Sequence, residues 1–267
     1  MNTNSNMPGS LVSLMLIVGL SFVSQAQAAK SGERYLPAEN VMLELSAARQ
    51  NARENDKLLL VIMGANWCHD SRALASRIYK KPLSKLIAEH YETIFIDVGY
   101  LEKGKDVINS LGLPVYYATP TVLIVDPVSG QLLNRKNRHQ WANAASISMQ
   151  DSVEYFQQMS KTDPTAPTET NEISEGLQLL LAEVDAFEQL QADRLYEAYA
   201  MLGPMLRAYK EGDKEAFSKA RWNEVREFRY KVPADLDTLR AEAYQRSSAG
   251  ETNIKLNYPR YPAFSWE

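Results

Sequence analysis

The sequence predicts an α/β fold, a mixed sheet with helices on both faces, followed by an α-helical C-terminal region. Three observations carry that expectation. Two apolar runs, Lys57 to Met63 (KLLLVIM) and Thr93 to Val98 (TIFIDV), are too short for helices and have the aliphatic, β-branched and aromatic content of buried strands. Stretches with helical periodicity alternate with them, giving the order helix, strand, helix, strand, helix, hairpin, helix. Beyond residue 171 no strand candidate remains.

In chain order, Leu11 to Val23 is an apolar run followed by Ala26-Gln27-Ala28. It is shorter than the ~20 residues that span a bilayer, so residues 1–28 read as a secretory signal peptide. Because Met1 to Ser10 contains no Lys or Arg, an uncleaved anchor is the alternative. Export places the mature chain in a periplasmic or secreted location, with no membrane association after cleavage.

The first helix is expected within Pro37 to Asn55, where Val41, Leu45, Ala48 and Ala52 form one stripe. The first strand ends at Gly64. Helical spacing returns over Ser71 to Tyr79 and again from Leu83 to Tyr91, interrupted by Lys80-Lys81-Pro82, which predicts a kinked or two-part helix. Lys105 to Leu111 reads as a short helix ended by Gly112. Thr121 to Val125 and Gln131 to Asn134 flank a Pro and Gly turn, the pattern of a β-hairpin. A last helix of this domain, which spans residues 34–160, lies within Ala142 to Met159.

Residues 161–171 (KTDPTAPTETN) lack any apolar side chain larger than alanine and read as a linker. Residues 172–267 form the helical region. Its first helix opens with Leu177, Leu180, Leu181, Val184 and Phe187 and is expected to break at Gly203-Pro204. Further helices are expected within Pro204 to Tyr209, Lys214 to Lys231 and Ala234 to Arg246. The aromatic end of the chain, Tyr258 to Trp266, either packs across this region or docks a partner.

Composition excludes some function classes. With 45% hydrophobic and 23% charged residues, a net charge of -4 and a pI near 5.6, nothing favours nucleic acid or an anionic membrane surface as partner. Histidines 69, 90 and 139 are scattered, zinc-type spacing is absent, and neither metal nor cofactor is expected.

The chemistry converges on the single cysteine, in Trp67-Cys68-His69-Asp70-Ser71, between the first strand and the following helix. A thiol at a helix N-terminus meets the positive end of the helix dipole and unpaired backbone amides, which favour the thiolate. A protonated His69 would add to this and Asp70 would oppose it. Asp70 is expected to cap the helix rather than join a Cys-His-Asp relay. The competing reading of Cys68 is a small, inert, buried side chain. With one cysteine, no internal disulfide can form.

Trp67-Cys68, Phe95-Ile96-Asp97-Val98 and Ala118-Thr119-Pro120-Thr121, set in this order of elements, resemble the thioredoxin superfamily over Ala38 to Ser160. The resemblance implies that Pro120 follows a cis peptide bond and faces the cysteine turn, and that Thr119, Pro120 and Thr121 align a substrate. The sequence also departs from the dithiol pattern. Ser71 stands where dithiol members have their second cysteine, and Ile62 where they have a buried carboxylate. What the resemblance then implies is monothiol chemistry, as in a disulfide oxidoreductase or isomerase: Cys68 forms mixed disulfides with a protein or with glutathione, and an external thiol releases them. The rival is a redox-inactive scaffold whose helical region and aromatic tail recognise a partner.

Overall fold

Three strands in the order β2-β1-β3 form the sheet: β1 (Leu58–Gly64), β2 (Tyr91–Asp97) and β3 (Thr121–Val125). The structure is a computed structural model, and residues 33–162 and 174–267 are described. The expected signal peptide over residues 1–28 lies outside the described residues, as do residues 163–171 of the expected linker. β1 runs parallel to β2, pairing Leu58 with Tyr91 through Gly64 with Asp97, and antiparallel to β3, pairing Leu59 with Val125 through Met63 with Thr121.

Because side chains alternate along a strand, the apolar run of β1 faces two ways and divides two cores. Leu59, Val61 and Met63 point to one side with Ile94, Ile96, Leu123 and Val125. Leu60 and Ile62 point to the other with Tyr91, Val122 and Ile124. All five of these β1 side chains are fully buried. Each contributes roughly 1.5–3 kcal/mol relative to exposure.

The first core is closed by α1 (Val41–Glu54), through Leu45, Ala48 and Ala52, and by α4 (Lys105–Ser110). Asn40 caps α1, its side chain accepting the Leu43 amide at 3.0 Å. The second core is closed by α2 (His69–Ile78), α3 (Leu83–His90) and α5 (Met149–Met159), through Leu74, Ile87 and Phe156 among others. The helix expected after the cysteine is in two parts, α2 and α3, separated at Pro82.

One expectation needs correction here. The second arm of the hairpin is not a strand: beyond the Asp126–Gly130 turn only an isolated bridge joins Val125 to Leu132. The reason is Asn134, buried at 1% exposure, whose side-chain amide takes the place of a neighbouring backbone. Its Oδ1 accepts the Ile124 amide at 2.9 Å, and its Nδ2 donates to the Val122 carbonyl at 2.8 Å and the Tyr155 hydroxyl at 3.0 Å. The edge of β3 is thus satisfied without a fourth strand. The last helix of the domain, α5, lies within the expected Ala142 to Met159 and begins after the Ser148 capping box, preceded by the kinked 3-10 segment Arg135–Ser146.

Residues 174–267 form two long helices, α6 (Glu175–Glu211) and α7 (Lys219–Ser248). Neither breaks where proline predicts: α6 continues through Pro204 and α7 through Pro233. A proline inside a helix costs about 3 kcal/mol, but Leu202 and Leu206 are buried around the first and Val232 and Leu236 around the second. Burial of such side chains at roughly 1.5–3 kcal/mol each outweighs the break. Gly203 lets α6 approach closely, as a Cβ there would come within 2.7 Å of the Tyr100 carbonyl oxygen.

The helical pair shares the first core with the sheet, adding Val184, Leu195, Leu202, Val232 and Leu236, and residues 34–267 form one unit. The tail packs on its own helices. Phe264 stacks with Trp266 and meets Phe228 edge-on, while Arg194 donates to the Glu267 carboxylate at 2.9 Å. Among the described residues no helix is long and apolar enough to cross a membrane.

Candidate functional site

The cysteine turn is built by the residues that end β1. Cys68 is the N-cap residue of α2, in extended conformation (φ -81°, ψ 128°), with its amide donating to the Ala65 carbonyl at 3.1 Å. Its side chain does not cap the helix and turns instead toward the loop before β3. The thiol donates to the Thr119 carbonyl at 3.0 Å, and the Thr119 hydroxyl donates to Sγ at 3.4 Å. The Thr119–Pro120 bond is cis. Cys68 is buried at 9% exposure.

The two bonds on the sulfur have different chemistry. The bond to the Thr119 carbonyl uses the thiol proton and ends when that proton leaves. The bond from the Thr119 hydroxyl survives deprotonation and becomes charge-assisted. Thr119 therefore touches both states of the sulfur. Thr121 does not reach it: its hydroxyl donates to the Ala118 carbonyl at 2.7 Å and closes the turn around Pro120.

The flanking residues have distinct tasks. The Trp67 indole N–H donates to the Gly99 carbonyl at 2.6 Å, and its ring stacks on Tyr100 and meets Trp222 of α7 edge-on, each with centroids 6.4 Å apart. That loop takes its shape from Gly99 and Gly104 at positive φ and from Leu101, whose φ of 81° is unusual for a leucine and is held by near-complete burial. His69 is exposed, at the first position of α2.

Asp70 corrects an expectation. Rather than capping α2, its Oδ1 accepts the Ala145 amide at 2.9 Å and fastens the 3-10 segment to the helix. Arg77 repeats the attachment on the same face two turns along, donating to the Ala144 carbonyl at 2.9 Å.

Ser71 is fully buried, and its Oγ accepts the Ala65 amide at 3.4 Å. The space is tight, since a Cβ on Gly64 would lie 2.6 Å from Ser71 Oγ and 2.7 Å from the Tyr35 ring. The Tyr35 hydroxyl donates to the Ser71 carbonyl at 3.2 Å, and burial holds its phenol far above its ordinary value. Ile62 is fully buried in the second core with no polar role.

Several residues of the site were not singled out from sequence. Asn66 holds the segment ahead of α1: its Oδ1 accepts the Arg34 and Tyr35 amides, each at 3.3 Å, and its Nδ2 donates to the Tyr35 carbonyl at 2.7 Å. Its position next to Trp67-Cys68 was the available signal. Trp222 is half-buried against Trp67. Arg229 of α7 donates through Nε to the Tyr117 carbonyl at 2.6 Å, two residues before Thr119. No local pattern marks that long-range contact.

Residues 40–127 match the model of a family described as thioredoxin-like. No curated protein matches the chain. Among solved structures, the chain is similar to a disulphide isomerase from Xylella fastidiosa Temecula1, at 25% identity and a TM-score of 0.44 over 48% of this chain and 98% of that one.

Proposed function

We propose, on the premise that the chain carries a thioredoxin-like domain, that it acts in thiol-disulfide exchange through Cys68 alone. One observation carries the proposal: the only cysteine stands at the N-cap of α2 with its sulfur against the Thr119–Pro120 turn. Cys68 loses its proton to solvent and attacks one sulfur of a disulfide. The new bond joins Cys68 to that sulfur, and the other sulfur leaves as a thiolate. With Ser71 in place of a second thiol, the mixed disulfide persists until an external thiol attacks it. Thr119 and Pro120 border the space where the partner's sulfur would arrive, and the partner is a protein disulfide or glutathione disulfide. The leader expected over residues 1–28 supports a periplasmic or secreted setting, where disulfides persist.

The test is capture. The purified chain is incubated with glutathione disulfide, and the exported fraction of its host is probed for partners bound through Cys68. Adducts that form on the wild type, disappear with dithiothreitol and fail to form on Cys68→Ala support the proposal; their absence from the wild type refutes it.

A second reading, a redox-inactive scaffold that binds a partner, is favoured by the burial of Cys68 at 9% exposure. Under it, Cys68→Ala leaves the phenotype intact. Loss of phenotype in that variant discards it.

A further inference from the structure

The helical pair reaches the thiol site at two backbone carbonyls of the loop that ends in Thr119. Arg229 Nε donates to the Tyr117 carbonyl at 2.6 Å, and the Tyr199 hydroxyl of α6 donates to the Tyr116 carbonyl at 2.8 Å. The Arg229 guanidinium lies over the Tyr199 ring, 5.4 Å from its centroid, so the two donors brace each other. Tyr116 and Tyr117 are at or below 4% exposure, and Tyr116 stacks on Tyr199 with centroids 5.4 Å apart. Tyr116 is anchored at its far end as well, its hydroxyl donating to the Leu101 carbonyl at 3.0 Å. From Tyr117 the chain has only Ala118 before Thr119, whose carbonyl and hydroxyl both meet Cys68 Sγ.

We propose that Arg229 of the C-terminal helical pair is a positioning residue for the thiol: by holding the Tyr117 carbonyl it fixes the Thr119–Pro120 turn against Cys68, with Tyr199 as its brace. The helical region is then part of the thiol site's construction. This inference deepens the exchange reading and rests on it for its biological meaning.

The physical consequence is specific. An apolar side chain at position 229 leaves the buried Tyr117 carbonyl without its Arg229 donor, and the two-residue arm to Thr119 gains freedom. The thiol's bond to the Thr119 carbonyl weakens, and reagent reaches the sulfur more often. Loss of the neutral bond from the thiol to the Thr119 carbonyl corresponds to about a fivefold change in an equilibrium.

The experiment measures the rate of Cys68 alkylation by iodoacetamide in the folded full chain at fixed pH. The proteins are wild type, Arg229→Met, Arg229→Lys and Arg226→Met, the last an exposed position on the same helix. Leu239→Ala serves as a destabilised reference in the buried face of α7. The expected result is about a fivefold faster reaction in Arg229→Met, a rate near wild type in Arg229→Lys, which keeps a donor, and wild-type rates in Arg226→Met and Leu239→Ala.

Equal rates in Arg229→Met and wild type overturn the proposal. So does an equal acceleration in Arg229→Lys or Leu239→Ala, which would assign the effect to general loosening. Incubation of the same proteins with glutathione disulfide separates this inference from the exchange reading. If wild-type Cys68 takes no adduct while Arg229→Met alone changes alkylation, exchange falls and positioning stands. If adducts form and alkylation ignores position 229, positioning falls and exchange stands.

Discussion

Replacing Ser71 by Cys tests whether the missing resolving thiol is what makes this a one-cysteine site. The position is three residues after Cys68 on the first turn of α2, where Cβ atoms lie about 5–6 Å apart. A disulfide needs them at ~3.5–4.5 Å, so the first turn must tighten by about 1–2 Å. The pocket resists a larger atom. Ser71 is fully buried, and its Oγ sits where even a Cβ on Gly64 would approach to 2.6 Å. Overpacking of this kind costs about 1–3 kcal/mol, and the 3.4 Å bond from the Ala65 amide is weakened as well. The expected loss of stability is therefore about 2 kcal/mol. The assay loads wild type and S71C with glutathione disulfide, removes the excess and follows intact mass. The wild-type adduct persists until dithiothreitol is added. The S71C adduct decays unaided, releasing glutathione and leaving a product two hydrogens lighter than the reduced dithiol. A folded S71C that keeps its adduct as long as the wild type, or a wild type that sheds it without added thiol, refutes the reasoning.

Two further predictions concern the scaffold. Asn134→Ala removes three buried hydrogen bonds and leaves the Ile124 amide and Val122 carbonyl without them; denaturant unfolding should show a loss of about 2–4 kcal/mol, and a change under 1 kcal/mol would remove Asn134 as the reason β3 needs no further strand. Asp97 has its carboxyl raised above the usual range, chiefly by burial, against opposing effects of the Gly99 amide and Lys103. A raised folded-state value means that its favourable contribution is complete below the unfolded-state value and is lost as pH rises through the folded one. Asp97→Asn, which keeps an acceptor for Gly99, should therefore raise Tm at pH 7 and flatten the gain in Tm as pH falls into the mildly acidic range. A lower Tm at pH 7 would show that the Lys103 pairing dominates.

The central sheet was legible in the sequence because the strands carry short runs of aliphatic, β-branched and aromatic residues, and the helix break at Pro82 because proline acts through its own ring and missing amide. Asn134 was hidden because a side-chain amide imitating a strand depends on a contact twelve residues back, at Val122. The passages of α6 through Pro204 and α7 through Pro233 were missed for the opposite reason: the local rule is sound, but tertiary burial overrode it. At the site, Trp67 and Cys68 stood out by residue type, and Thr119 and Pro120 entered through resemblance. Asp70 was misassigned because a carboxylate in the first turn of a helix has an obvious local use, whereas its partner, Ala145, is 75 residues away in sequence. Arg229 is one of many arginines until the fold brings it to Tyr117.

The partition made by β1 also decides how the helical pair can be studied. Leu101, Val115, Tyr116 and Tyr117, all at or below 4% exposure, share their core with Val184, Leu195 and Leu202 of α6. A chain cut after residue 171 would present this oily surface to water and stick to whatever is nearest. Its phenotype would report insolubility, and apparent binding by the fragment would be adhesion rather than recognition. The contribution of the helices is therefore measured by single substitutions in the intact chain, and a shortened version serves only once new polar residues cover the exposed side.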